Sequence, residues 1–212
     1  MRKLSTDISE VVQNKIIMYN PEGNLDHTAR LFLALYNFQP LTRGHVERVA
    51  LLAEETAVRT KKDAKAAFFA GLLHDVGKIV LGPDLFSGCD ISAEEYEKIK
   101  SYAVKGFLAL SEFHLFVALC AGLHHNLYQS GYGVDLEDFP SEISPATAKK
   151  ILEISGIISI CDFVDAFTHR QTKIKDGSDK QASDLEGMLK DKYPEDHLLI
   201  GVILKANKKL GL

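Results

Sequence analysis

The chain has 212 residues, 46% of them hydrophobic and 25% charged, with a formal charge of −4. That length holds one domain with a substantial core, and the slightly acidic balance leaves no basic footprint, which argues against duplex nucleic acid as a main partner. No stretch approaches the roughly 18 uninterrupted apolar residues of a membrane span. The opening MRKLSTDISEVVQNKIIMYN lacks the apolar core of a signal peptide, so a cytoplasmic protein with no membrane partner is expected. Cys89, Cys120 and Cys161 are odd in number, far apart and without CxxC pairing, and read as reduced thiols.

Residues 1–40, with LFLALYNFQP, are expected to form an N-terminal helical extension that covers the core. In GHVERVALLAEETAVRT, the residues Val46, Val49, Ala50, Ala53 and Ala57 fall on one stripe with a helical period. DAKAAFFAGLL puts Ala64, Ala67, Phe68, Gly71 and Leu72 on a second stripe. ISAEEYEKIKSYAVKGFLAL predicts one helix opened by a capping box, Ser92 answered by Glu95. EFHLFVALCAGLHH predicts another, with Phe113, Phe116, Val117, Cys120 and Leu123 inward. Residues 126–144 lose the helical period and hold Gly131, Gly133 and Pro140; a connection that long in a compact domain is usually functional or disordered. A long helix is expected from Ser144-Pro145, a polar cap with proline at the first helical position. Residues 171–182 read as a solvated loop, and EDHLLIGVILKANKKLGL as a last helix with lysines at its C-terminal end. Alternating strand patterns are almost absent. The fold class is all-α, with a core at 41–172 and a C-terminal helical extension at 173–212.

Certain polar residues sit where these stripes ask for burial. His45 lies at the edge of the apolar face of its helix, and His74 and Asp75 close the AAFFAGLL run. His124 follows Val117 and Cys120 at helical spacing, and Asp162 follows Ser155 and Ile158 in the same way, so both face inward. A lone inward histidine is usually a hydrogen-bonded core residue. An isolated aspartate in apolar surroundings, however, is very costly unless paired or bound to a metal. Several such residues at the ends of inward stripes point to a shared ion. Imidazoles and carboxylates together suit Fe, Mn, Zn or Ni, and a carboxylate can bridge two ions for attack on phosphorus.

His45, the HD pair at 74 and 75, the HH pair at 124 and 125, and Asp162, taken in order, resemble the HD superfamily of metal-dependent phosphohydrolases. LLHDVGK is similar to that family's central H-D-[IV]-G-K signature. ISAEEYEKIK, HHNLYQSGYG and CDFVDAFTHR resemble segments of the HD-GYP branch, and the likeness covers about residues 41–172. The resemblance implies an all-α HD-domain bundle with a first metal held by His45, His74, Asp75 and Asp162. Asp75 would bridge to a second ion on His124 and His125. Asp75 and Lys78 would be the catalytic groups, Lys78 meeting a substrate phosphate as a point charge. The expected cofactor is one or two transition-metal ions, divalent or mixed-valent, with Fe or Mn favoured and Zn, Ni or Mg admissible. The expected partner is a small-molecule phosphoester, a nucleotide or cyclic dinucleotide, with the site at the mouth of the helical core beneath the 126–144 loop; a homodimer is compatible with all of this.

Three positions differ from the branch pattern. Tyr102 stands where a further histidine is usual, Gly133 replaces the expected proline in a shortened loop, and Asn126 stands where a glutamate normally follows the paired histidines. The number of ions and cyclic di-GMP hydrolysis therefore stay open. So do two other uses of such a centre: a di-iron oxygenase, which a tyrosine near iron would suit, and a binding or signalling module that keeps one structural metal. Asp165 and Arg170 match the family segment and are expected to orient ligands. Tyr128 and Tyr132 are expected to pack the loop down, and His27, His114, His169 and His197 to be structural or exposed.

Overall fold

A computed structural model describes residues 7–19, 24–81, 92–127, 131–141, 143–169 and 185–212. The elements in chain order are α1 (Ile8–Tyr19), α2 (Leu25–Leu35), α3 (Pro40–Arg59), α4 (Ala64–Leu73), the single turn α5 (Gly77–Val80), α6 (Ala93–Lys100), α7 (Tyr102–Ser111), α8 (Leu115–Leu123), α9 (Pro145–His169), α10 (Leu185–Lys192) and α11 (His197–Leu210). No strand occurs among the described residues. None of their helices is long and apolar enough to cross a membrane. Cys89, Tyr128, Arg170 and the 171–182 stretch lie outside the described residues.

The core is built around α4. Its N-cap Asp63 accepts a hydrogen bond from the Ala66 amide at 2.8 Å, the arrangement that satisfies an orphan helix donor. The single stripe expected for α4 is too narrow: Phe69, Ala70 and Leu73 are buried as completely as Ala67, Phe68 and Leu72. A helix buried on all sides is a central one. It lies between α3, α8 and α9. Gly71 permits its approach to α3, because a Cβ there would stand 3.0 Å from the Cα of Ala50. The expected α3 stripe is fully buried. One apolar cluster joins α3, α8, α9 and α11, and another joins α1 and α2 to the other face of α3 and α4. Polar contacts add to the second cluster: Lys15 forms an ion pair with Glu54 at 2.7 Å, and the Ser9 hydroxyl donates a hydrogen bond to Glu47 at 2.8 Å.

Two expectations need correction. The helix read across 92–110 is two helices, because α6 ends at Ser101, whose hydroxyl donates to the Lys98 carbonyl at 2.6 Å. The capping box at its start is present. Phe113, read as inward, is 46% exposed. It precedes the helix, which starts only at Leu115 with His114 as its cap. Within the 126–144 region, Val134 folds back on the end of α8, where its amide donates to the Gly122 carbonyl at 3.0 Å and Asn126 Nδ2 donates to its carbonyl at 2.9 Å. Ser144 caps α9 by accepting from the Thr147 amide at 3.1 Å.

Candidate metal centre

His74 and His124 occupy equivalent local positions, each just past the end of a helix, after Ala-Gly-Leu-Leu at 70–73 and Ala-Gly-Leu at 121–123. The last carbonyls of a helix lack partners within it. Here histidine supplies them: His74 Nδ1 is 2.7 Å from the Gly71 carbonyl and His124 Nδ1 is 2.7 Å from the Ala121 carbonyl. A carbonyl only accepts, so Nδ1 carries the proton in each ring and Nε2 presents a lone pair. His45, on α3, is fixed the same way by a carboxylate, with Nδ1 at 2.7 Å from Asp165 Oδ2. Three rings from three elements thus turn their Nε2 atoms toward one place.

The carboxylates meet them there. His45 Nε2 lies 3.0 Å from Asp162 Oδ1 and 3.4 Å from Asp75 Oδ2, without aligning a hydrogen bond on either. His74 Nε2 lies 3.5 Å from Asp75 Oδ2 and 3.9 Å from Asp162 Oδ1, and His125 Nε2 lies 3.8 Å from Asp162 Oδ2. All six residues singled out as ligands in the sequence fall in this cluster. Three overlapping sets have ligand atoms within 4.8 Å of one another: His45, His74 and Asp162; His74, Asp75 and His124; His124, His125 and Asp162. His74, Asp75 and His124 are wholly buried.

The side chains fit a metal. His45 Nε2, His74 Nε2 and Asp75 Oδ1 are buried without a hydrogen-bond partner, an arrangement costly in a dry core and removed by a cation. Charge states agree at five of the six residues. Burial alone would raise Asp75 and Asp162, but the histidines around both, with Lys78 beside Asp75, hold the two carboxyls well below their usual range. Burial lowers His74 and His124, and lowers His125 to about 4. Burial opposes the proton on His45 too, yet Asp162, Asp165 and Asp75 outweigh it and raise that ring to about 10. Ionised aspartates and neutral imidazoles are the forms that ligate metals, so His45 alone must release a proton when an ion takes its place among the carboxylates. Among the described residues no thiolate joins them: Cys120 and Cys161 are buried, with their thiols pushed up by burial.

Several neighbours act through these groups. Lys78 pairs with Asp75 Oδ2, and its ammonium lies 4.9 Å from the centre of the Tyr102 ring. The Tyr102 hydroxyl lies 3.2 Å from His124 Nε2 and makes a short contact with His125 Nε2. Burial, with Asp75 and Tyr132 nearby, pushes this phenol well above its ordinary range, so it keeps its proton. Tyr132 stacks on His125 with ring centres 4.5 Å apart, so it packs the loop onto the centre as expected. Asp165 supports His45 as foreseen, but its cationic partner among the described residues is Arg48, at 2.6 and 2.9 Å through two nitrogens. The sequence carried one cue to Arg48, its position a helical turn after His45 on the polar side. His169 also reaches Asp165, at 3.1 Å, and His114 caps α8.

The HD domain family pattern matches residues 42–167. The chain belongs to the HD domain family. Its fold is similar to that of the HD domain of the L. monocytogenes phosphodiesterase PgpH, with a TM-score of 0.55 at 19% identity, covering 82% of this chain and 94% of that one. The same domain in complex with cyclic-di-AMP gives a TM-score of 0.55 at 19% identity, covering 82% of this chain and 93% of the other. No curated protein matches the sequence. The bundle that positions the centre is therefore an HD domain bundle.

Proposed function

We propose that this HD domain is a metal-dependent phosphohydrolase that cleaves a phosphoester of a nucleotide or cyclic dinucleotide, with His45, His74, Asp75 and Asp162 holding an ion. One observation carries the reading: the buried, unpartnered Nε2 atoms of His45 and His74 converge on Asp75 and Asp162. The donor set of imidazole nitrogen and carboxylate oxygen suits Mn or Fe, with Zn, Ni or Mg as weaker candidates. When bound, such an ion supplies Lewis acidity and an activated water near neutral pH. The chain's own groups do the rest. Asp165, gripped by Arg48, fixes the His45 ring. Lys78 is placed to exchange its contact with Asp75 for a phosphoryl oxygen, where its charge stabilises the transition state. The segments after the HD pair resemble HD-GYP segments in sequence, and the binding of cyclic-di-AMP by the PgpH domain supports a cyclic dinucleotide among the substrates to be tried.

The test is turnover by protein purified without oxygen and supplied with Mn or Fe(II), against bis(p-nitrophenyl) phosphate, mononucleotides, cyclic-di-AMP and cyclic-di-GMP. Hydrolysis of at least one, lost in Asp75→Ala and on chelation, is expected. Full activity in a metal-free Asp75→Ala protein would refute the reading. Oxygen-dependent turnover that ignores phosphoesters would replace it with the oxygenase.

A further inference from the structure

We propose that this centre holds a single ion, in the His45–His74–Asp75–Asp162 half, because the Tyr102 hydroxyl occupies the place where a second ion would meet His124 and His125. The inference rests on the metal reading above and is independent of which reaction the centre performs.

Three observations on separate elements carry it. The first is an asymmetry in what is left unsatisfied. His45 Nε2, His74 Nε2 and Asp75 Oδ1 lack partners, whereas the Nε2 atoms of His124 and His125 both have the Tyr102 hydroxyl. His124 has no other lone pair to offer, since its Nδ1–H is spent on the Ala121 carbonyl. An ion bonded to both rings would sit about 2.1 Å from each nitrogen. That is the space between them which the hydroxyl already holds. The second observation concerns Asp75. Its Oδ2 is paired with the Lys78 ammonium and also lies 3.4 Å from His45 Nε2 and 3.5 Å from His74 Nε2. A side-chain cation thus already shares the carboxylate that a second ion would need. That ammonium lies over the Tyr102 ring, so the two residues pack as one filler.

The third observation is that Tyr102 has no room to withdraw. A Cβ on Gly77 would collide with the Tyr102 carbonyl and stand 2.7 Å from the Gly106 amide, so α5 and the start of α7 touch backbone to backbone. Tyr132 closes the remaining side, its ring centre 6.2 Å from that of Tyr102 and 4.5 Å from that of His125. A neutral phenol is a poor ligand for Mn(II), Fe(II) or Zn(II). Its one proton serves one nitrogen at a time, and its oxygen stands against both, so it excludes such an ion from the pair.

The experiment counts ions. Full-length wild type, Tyr102→His and Tyr102→Phe are loaded with Mn(II), desalted and assayed by elemental analysis, with electron paramagnetic resonance to separate isolated from coupled ions and circular dichroism to confirm folding. Wild type should hold one ion per chain with the spectrum of isolated Mn(II). Tyr102→His should hold two, spin-coupled, and Tyr102→Phe should gain a second, weaker ion on titration. Two ions in wild type would overturn the proposal without any variant. So would folded variants that both stay at one ion, or a visible tyrosinate band in ferric-loaded wild type that disappears in Tyr102→Phe. None of these readings depends on hydrolysis, so a failure here is distinct from a failure of the phosphohydrolase reading.

Discussion

The ends of α4 and α8 begin from nearly the same local sequence and reach different outcomes. Each places a histidine just past a helix, and each satisfies a helix carbonyl with Nδ1–H so that Nε2 points inward. His74 Nε2 then finds no hydrogen-bond partner, whereas His124 Nε2 finds the hydroxyl of Tyr102. The helix end dictates tautomer and direction, while a distant element decides whether the lone pair stays available. Availability is what makes a histidine a ligand.

The sharpest way to break this contrast is to remove each ring in turn. His74→Ala should abolish retention of tightly bound metal, while His124→Ala should keep one ion per chain; loss of all metal from both, by elemental analysis, would make the two ends equivalent. Next comes the support behind His45. Asp165→Ala strips the partner from His45 Nδ1 and from the Arg48 guanidinium. Metal affinity should fall about 10- to 100-fold in a chelator competition, with about 3 kcal/mol of stability lost in denaturant titration because a buried ionic group is left unpaired. A mutation on the Tyr102 side should spare the first ion while costing packing: Gly77→Ala drives a methyl into the backbone of α7 and should destabilise by about 2–3 kcal/mol, read as a lowered Tm.

The smallest effect lies at the other ends of the same two helices. Asp63 caps α4 at 2.8 Å, whereas His114 caps α8 at only 3.4 Å. His114→Asp should therefore stabilise by about 0.5–1 kcal/mol near neutral pH. Burial holds the His114 imidazole below its ordinary value. A depressed folded pKa contributes stability that is present above the unfolded value and lost as pH falls through the folded one. Denaturant midpoints measured downward from pH 7 should show that loss in wild type. The part due to position 114 should vanish in His114→Asn, which caps without titrating in this range.

Much of this architecture was legible in the residues. The α3 stripe, the Ser92–Glu95 box and the start of α9 at Pro145 follow from periodicity and capping, which act over one or two turns. Five of the six ligand candidates could be listed because each ends or lines an inward stripe, while His125 came only with the resemblance to the HD superfamily, and the fold brings all six to one cluster. What could not be read arises from contacts between elements. Nothing in IKSYAVKG announces that the helix breaks at Ser101; there is no proline, and the apolar period runs on. The break belongs with the meeting of Gly77 and Gly106, far apart in the chain, and it sets the phenol against two imidazoles. Arg48 stayed hidden because an arginine on a polar helix face looks solvated until α9 brings Asp165 to it. The full burial of α4 was missed because one stripe accounts for one neighbour, and α4 packs against α2, α3, α8 and α9.

The glycine crossing of α5 and α7 has a consequence for redesign. With no side chain between the two backbones, neither helix can slide to make space, and residue 102 stays at a fixed distance from the signature histidine whatever its identity. Admission of a second cation, as proposed above, therefore comes down to chemistry at one β-carbon, with the scaffold acting as a ruler that does not stretch.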